Sequence, residues 1–287
     1  MPGPATRVAI DLTGGQIRVV AGALGGLMRC GSGGTPAGSL VDGKVLDTNG
    51  VGTALRQLLA RTEIEETRAL IAASDSVATF RVVKLAPAAT DQDVDAAVAR
   101  ELPLDPERMA TRWLELKSGP DHRLVYAVAW DRSQVKNITE AARFAGVDPI
   151  AVDLKSACVA RAVTEAACVV VDMSSNPVEI VLIDHHIPQV WHSFRLDVAA
   201  GEDVAPALTG PLRTVLRFYK RRRDTEFYST APIIVAGEQA MSSGFATTLS
   251  LQLEHPVVPL QMPARVPQDF RHATYLTCLG LLMRRSP

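Results

Sequence analysis

Two aspartates occupy matched places in this chain. Asp11 closes the apolar run Val8-Ala9-Ile10 and is followed by Thr13, Gly14 and Gly15. Asp172 closes Val169-Val170-Val171 and is followed by Ser174, Ser175, Asn176 and Pro177. A second apolar run follows each turn, at 17–21 and at 178–183. Strand, Asp, turn and strand together are a hairpin signal. The unit occurs twice, about 160 residues apart. Taken singly, each Asp does the commoner job of ending a strand and capping a turn. The matched position gives the pair more weight than either has alone.

Other residue types invite chemistry less strongly. His185, His186 and His192 suggest a metal, but His185 and His186 are neighbours in a turn-like stretch. Adjacent strand residues point to opposite faces and chelate poorly together. No Cys lies nearby to complete a zinc set, so an exposed turn is expected. No Gly-x-Ser-x-Gly elbow marks a hydrolase nucleophile. Lys220, Arg221, Arg222 and Arg223 form the one basic cluster. It follows a helical stretch, where cations suit the C-terminal dipole. A solvated helix end is the expectation, with contact to anionic lipid as the alternative.

The elements that must carry these residues alternate. Helical spacing of Val51, Leu55, Leu58 and Leu59 predicts a helix over 49–61. Strands are expected at 69–73 and 79–85. Thr90, with Asp93 three residues on, caps a helix that ends near Leu102-Pro103. Strands at 110–116 and 124–130, a helix at 133–145 closed by Gly146, a strand at 150–154 and a helix at 156–164 follow. The second half reads as a helix at 202–221 interrupted at Pro206 and Pro211, a strand at 232–236 and a helix at 245–253. A short strand at 257–258 and a helix at 272–284 close the chain. Such alternation predicts an α/β fold.

Composition removes whole classes. The chain has 287 residues, 47% hydrophobic and 21% charged, with 31 acids against 30 Lys and Arg. That length suits one large domain or two smaller ones. High apolar content with low net charge argues against disorder. A balanced charge lacks the basic excess of a nucleic-acid binder. No window is long and apolar enough for a membrane helix, and the first residues lack a signal-peptide layout. Cys30, Cys158, Cys168 and Cys278 show no CxxC spacing and read as reduced, mostly buried thiols of a cytoplasmic protein.

The order of these motifs resembles the actin-like ATPase superfamily, and within it the PilM family of type IV pilus assembly. A more distant likeness is to the FtsA family of cell division. The pieces that carry it are LVDGKVLD at 40–47, ARELPLDPE at 99–107, GVDPIAVD at 146–153, IIVAG at 233–237 with Gly244-Phe245, and YLTCLGL at 275–281. The resemblance implies two actin-like, ribonuclease H-like halves, 1–154 and 155–287. It also implies a small α+β insert at about 77–149 and a reduced insert in the second half.

The resemblance further implies a cleft for ATP between the halves. Asp11, Thr13, Gly14 and Gly15 match the first phosphate loop; Asp172, Ser174 and Ser175 match the second. Backbone N–H groups of such turns cradle phosphate, and the two aspartates would hold Mg²⁺ through water. Several positions depart from the family pattern. Thr13 and Ser174 stand where glycines are usual, and Pro177 removes an N–H donor. Gly237 is followed by Glu238, which brings bulk and negative charge to the nucleoside corner. Lys155 stands where an acid is usual, so its ammonium would oppose Mg²⁺ or else contact a phosphate. The stretch after Arg195 is short where the family places a lid.

These departures favour a scaffold over an enzyme. The expectation is a cytoplasmic, PilM-like protein of a type IV pilus or related secretion machine, with a degenerate nucleotide site and no required cofactor. Its partner would be the cytoplasmic N-terminal peptide of a PilN-like inner-membrane protein, with other machinery proteins besides. The membrane would be reached only through that partner. An active ATPase or ATP-gated switch in the same machinery, with Lys155 on a phosphate and Mg²⁺ on Asp11 and Asp172, is the alternative. An FtsA-type protein is a further one.

Overall fold

The computed structural model describes residues 6–102, 105–116, 119–198, 203–222, 231–238, 240, 242, 244–262 and 265–284, without the side chains of 218–222. The first half opens with β1 (Val8–Asp11), β2 (Gln16–Gly22) and β3 (Met28–Gly34). A small hairpin follows, β4 (Leu40–Val41) and β5 (Lys44–Val45), then α1 (Thr48–Arg61) and β6 (Arg68–Ala73). β10 (Asp148–Leu154) completes the first sheet, in the order β10-β6-β1-β2-β3.

The second half repeats this arrangement. Its strands are β11 (Cys168–Asp172), β12 (Val178–Asp184), β13 (Ile187–Phe194), β14 (Ile233–Ala236) and β15 (Val257–Pro259). Their order is β13-β12-β11-β14-β15. In each sheet the first three strands run antiparallel and the last two join in parallel. Even the register corresponds. Asp11 faces Ala72 and Arg18, and Asp172 faces Ala236 and Glu179.

Both faces of each sheet are covered, so their central strands read as continuous apolar runs. α1 and α3 (Arg132–Phe144) bury Val51, Leu55 and Ile138 against one face of the first sheet. α5 (Ala205–Arg222) and α6 (Phe245–Leu253) cover the outer face of the second. Between the sheets lie α4 (Lys155–Ala162) and α7 (Leu276–Leu282). Cys158 and Leu279 face the first sheet; Val159 and Leu276 face the second.

The insert is a three-stranded antiparallel sheet, ordered β7 (Ala78–Leu85), β9 (Arg123–Asp131), β8 (Met109–Glu115). One face packs on α2 (Asp91–Glu101) through Val83, Val94, Val98, Val125 and Ala127. Thr90 and Asp93 make the expected reciprocal capping box. The expected insert ran to 149, but α3 belongs to the first-half core, because Ile138, Ala141 and Ala142 face α1. Four strands escaped the sequence pattern: β3, glycine-rich and half-exposed, β13, whose alternation is weak, and the two-residue β4 and β5. The interruptions expected in α5 do not occur. Pro206 sits in the first turn, where its missing N–H costs nothing, and the helix continues through Pro211. Residues 195–204 link β13 to α5, of which 199–202 lie outside the described residues.

The central layer depends on a close helix contact. A Cβ on Gly280 would collide with the carbonyl oxygen and carbon of Cys158. Ala in place of a helical Gly ordinarily stabilises by about 1 kcal/mol. Here backbone cannot yield as a side chain would, and overpacking of this kind costs about 1–3 kcal/mol. Gly280→Ala is therefore expected to lower stability, read as a lower midpoint in urea unfolding.

Candidate functional site

The repeated hairpins bring their aspartates to the centre of the molecule. Asp11 and Asp172 are each 1% exposed. Each holds its own turn. Asp11 Oδ1 accepts from the Thr13 N–H at 2.9 Å and from the Thr13 hydroxyl at 2.5 Å. Asp172 Oδ1 accepts from the Ser174 N–H at 2.9 Å. The turns then meet each other. A Cβ on Gly14 would lie 2.8 Å from Ser175 Oγ, so glycine permits the approach. Gly237, at φ +102°, lies equally close: its Cβ would meet Met173 and Ser174 backbone at 2.5 and 2.6 Å. Gly15 faces open space. Glu238 lies at the rim and pairs with Arg271.

Each aspartate also has a resident cation. Arg18, across the ladder from Asp11, is 3% exposed with its guanidinium 4.0 Å from Asp11 Oδ2. The same guanidinium donates to the Ser174 carbonyl and so ties the first hairpin to the second turn. In the second half the equivalent cross-strand residue is Glu179, so two acids face each other. Like charges directly opposite destabilise a sheet. Lys155 resolves the conflict from outside. Its ammonium is fully buried, 2.8 Å from Asp172 Oδ2 and 3.2 Å from Glu179 Oε2. Trp191 Nε1 donates to the same Glu179 oxygen at 3.2 Å.

Burial pulls the Lys155 ammonium towards neutrality, but Asp172, Glu179 and Asp11 outweigh it and hold the charge well above the usual lysine range. Burial raises Asp172, yet the Lys155 charge and the turn hydrogen bonds bring it below the ordinary value. Burial dominates at Glu179 and leaves its carboxyl raised.

Lys155 is the first residue of α4, and the carboxylate that holds this helix end comes from elsewhere. Asp75, after β6, accepts from the Ser156 N–H at 2.9 Å and from the Ser156 hydroxyl. Leu154 provides no side-chain cap. Burial pushes the Asp75 carboxyl up to about 7. Arg18, Glu179 and Asp75 thus belong to the site although sequence reading missed them. Glu179 and Arg18 each lie seven residues past a strand-end Asp; that spacing was the available signal.

A Mg²⁺-bound nucleotide would meet the chain's own cations here. The aspartate oxygens that would face metal-bound water are opposed by Arg18 and Lys155. The turns that would straddle phosphate touch each other. Cavities of about 380 and 290 Å³ border that contact, one lined by Arg18, Ser174 and Glu238, the other by Thr13, Ser74 and Glu179.

The larger opening lies elsewhere. A groove of about 780 Å³ separates the uncovered face of the inserted sheet from the first half. Leu114, Tyr126, Val128 and Trp130 line one side; Val152 and Leu154 of β10 and Ala157 of α4 line the other. Arg161 and Arg284 both pair with Asp153 at its end.

The duplicated sheets, the paired hairpins and the shared central helices decide the architecture. The chain has an actin-like fold. The PilM–PilN type IV pilus biogenesis complex superposes with a TM-score of 0.73 at 19% identity, over 96% of this chain and 97% of that one. The ethanolamine utilization protein EutJ from Carboxydothermus hydrogenoformans gives 0.55 at 16% identity, over 99% and 90%. The cytoplasmic domain of EpsL, an inner-membrane component of the type II secretion system of Vibrio cholerae, gives 0.56 at 11%, over 98% and 96%. No family model and no curated protein sequence matches the chain. The PilM-like, two-half fold expected from the sequence is thus the observed one.

The remaining features settle quietly. His185 and His186 form the β12–β13 turn with positive φ, and His185 is exposed. Among the described residues no group of three or more His, Cys, Asp or Glu could hold a metal. The side chains of the basic cluster at 220–223 lie outside the described residues. Among the described residues no helix is long and apolar enough to cross a membrane.

Removing one partner from a buried ion cluster costs about 3–5 kcal/mol, because the remaining charges stay desolvated. Lys155→Met should lose that much in urea unfolding, and Lys155→Met with Glu179→Gln should regain part of it. Asp75 has a raised carboxyl, so its ionisation opposes folding. The cost is absent below about pH 4 and complete above about pH 7, roughly 4 kcal/mol at most. Asp75→Asn keeps an acceptor for Ser156 without that charge. Its stability relative to the parent chain should rise as pH goes from 5 to about 8; a flat difference would contradict the assignment.

Proposed function

We propose that this chain is a PilM-like scaffold of a type IV pilus or related secretion assembly. It works by binding partners, and its nucleotide site is degenerate. The groove between the inserted sheet and the first half takes the cytoplasmic N-terminal peptide of a PilN-like inner-membrane protein. Attachment to the inner membrane is through that partner. The observation that carries the reading is the pairing of two features. In the cleft between the hairpins the aspartates face resident cations and the turns touch, while the groove is larger, apolar and lined by aromatic side chains.

The groove has the character of a peptide site. Leu114, a large apolar residue, is 68% exposed on the groove face of β8. Trp130 and Tyr126 offer large, stiff apolar surfaces, the type that anchors binding hot spots. The likeness in fold to a protein of a PilM–PilN complex supports a PilN-like partner. Loss of a buried leucine contact costs about 1.5–3 kcal/mol, or about tenfold or more in affinity. Leu114→Asp should weaken binding of the PilN-like peptide by that factor in fluorescence anisotropy and leave the melting temperature unchanged. ATP with Mg²⁺ should leave the melting temperature of the parent chain where it is, since only a ligand that binds the native state raises it. A rise that Asp172→Asn abolishes would favour an ATP-gated switch instead.

A further inference from the structure

The inserted sheet has an open edge. Among the described residues β8 pairs with β9 alone, in the order β7-β9-β8. The phase of that pairing is set by Leu116, whose N–H donates to the Leu124 carbonyl at 2.9 Å. In an antiparallel ladder, bonded and non-bonded pairs alternate. Leu114/Tyr126 and Arg112/Val128 therefore bond across the ladder. The N–H and C=O groups of Thr111 and Trp113 point the other way, to the free edge. An exposed edge of this kind is a template for another strand.

The two flanks of this edge differ in chemistry. On one face lies the apolar groove, reached past Leu114. On the other lies a cavity of about 430 Å³, lined by Asp95, Val98, Ala99, Thr111, Arg112 and Trp113. Asp95 is exposed, with one carboxylate oxygen accepting from Trp113 Nε1 at 2.9 Å. Asp91 on α2 already pairs with Arg123, so with Arg112 beside Asp95 this flank is polar and carries both charges. A strand sends successive side chains to opposite faces. A strand laid on β8 would thus place alternate residues in the two cavities.

We infer that the partner peptide binds by strand addition to the free edge of β8, with aliphatic side chains in the groove alternating with polar side chains towards Asp95 and Arg112. This rests on the groove reading above and specifies how the groove is entered. Backbone bonds to Thr111 and Trp113 would supply affinity, and the alternating pockets would supply selectivity. A peptide that lay across the groove by side-chain contact alone would have no use for the β8 backbone.

Proline provides the test. Pro is tolerated on an edge strand where its nitrogen faces outward, because no ladder bond is lost. Thr111→Pro removes the outward N–H and leaves the β8–β9 bonds in place. Thr111→Val keeps the N–H and removes only the hydroxyl. The probe is a fluorescein-labelled synthetic peptide of the cytoplasmic N-terminus of the PilN-like protein encoded with this chain, titrated against the full chain by anisotropy. Thr111→Pro should bind about tenfold more weakly and Thr111→Val within about twofold of the parent. A second measurement uses the parent chain and peptides methylated at successive backbone nitrogens. Binding should fall at alternate positions only. If Thr111→Pro does not fold, the methylated series decides alone. Equal binding by the two Thr111 variants, or a methylation profile without alternation, would overturn strand addition; loss of binding in Leu114→Asp would then still uphold the groove. A peptide that fails to bind the parent chain would overturn both.

Discussion

Two buried aspartates need counter-charges, and the way this chain supplies them shapes everything around them. Duplicated halves place Asp11 and Asp172 at the same point of two equivalent sheets. An unpaired buried carboxylate would be far too costly to keep ionised. The first half answers within its own hairpin, through Arg18 on the facing strand. The second half cannot, because Glu179 stands at the corresponding position. It borrows Lys155 from the helix that links the halves. The asymmetry has a structural result. The cation that balances the second sheet belongs to the connection from the first, so charge balance and the relative placement of the halves are one requirement.

Arg18 adds to the same requirement from the other side, since its guanidinium reaches the Ser174 carbonyl across the interface. Gly14 meets Ser175 across the same interface, and Gly237 packs on the Met173–Ser174 backbone within the second half. In such an arrangement the closed state is held by the chain's own side chains. A buried ion cluster is weak evidence for net stability, since apolar packing of equal volume often does as well. Its use here is positional. It fixes where α4 begins, together with Asp75, which caps that helix from a loop in the first half.

Much of this was legible in the sequence, and the limits were physical. The paired strand–Asp–turn–strand units, the capping box at Thr90 and the apolar faces of α1 and α3 rest on local pattern, and local pattern survives folding. Lys155 stood out because an ammonium replaced an expected acid. What it does there depended on Glu179, which sits in a seven-residue strand that is buried throughout. Burial on both faces erases the alternation that would have marked Glu179 as inward. Arg18 was hidden in the same way, as a charged residue in a run of buried neighbours. The edge strand β3 carries Gly31, Gly33 and Gly34, with little side-chain pattern to read. The limit of the insert was misplaced because α3 follows β9 without a break, yet its apolar face belongs to the first half.

α4 connects the ion cluster to the open groove. Its first residue lies in the ion cluster; Ala157 and Arg161 lie on the groove wall. Arg161 pairs with Asp153 of β10, and Arg284, just past α7, pairs with the same carboxylate. The groove is therefore bounded on one side by a helix held at its first residue by buried charges. A wall held this way leaves little ordering to oppose binding of any ligand. Separating α4 from the second sheet would part Lys155 from Asp172 and Glu179, three groups buried together. The ion cluster that seats the start of α4 therefore also holds one wall of the groove in place.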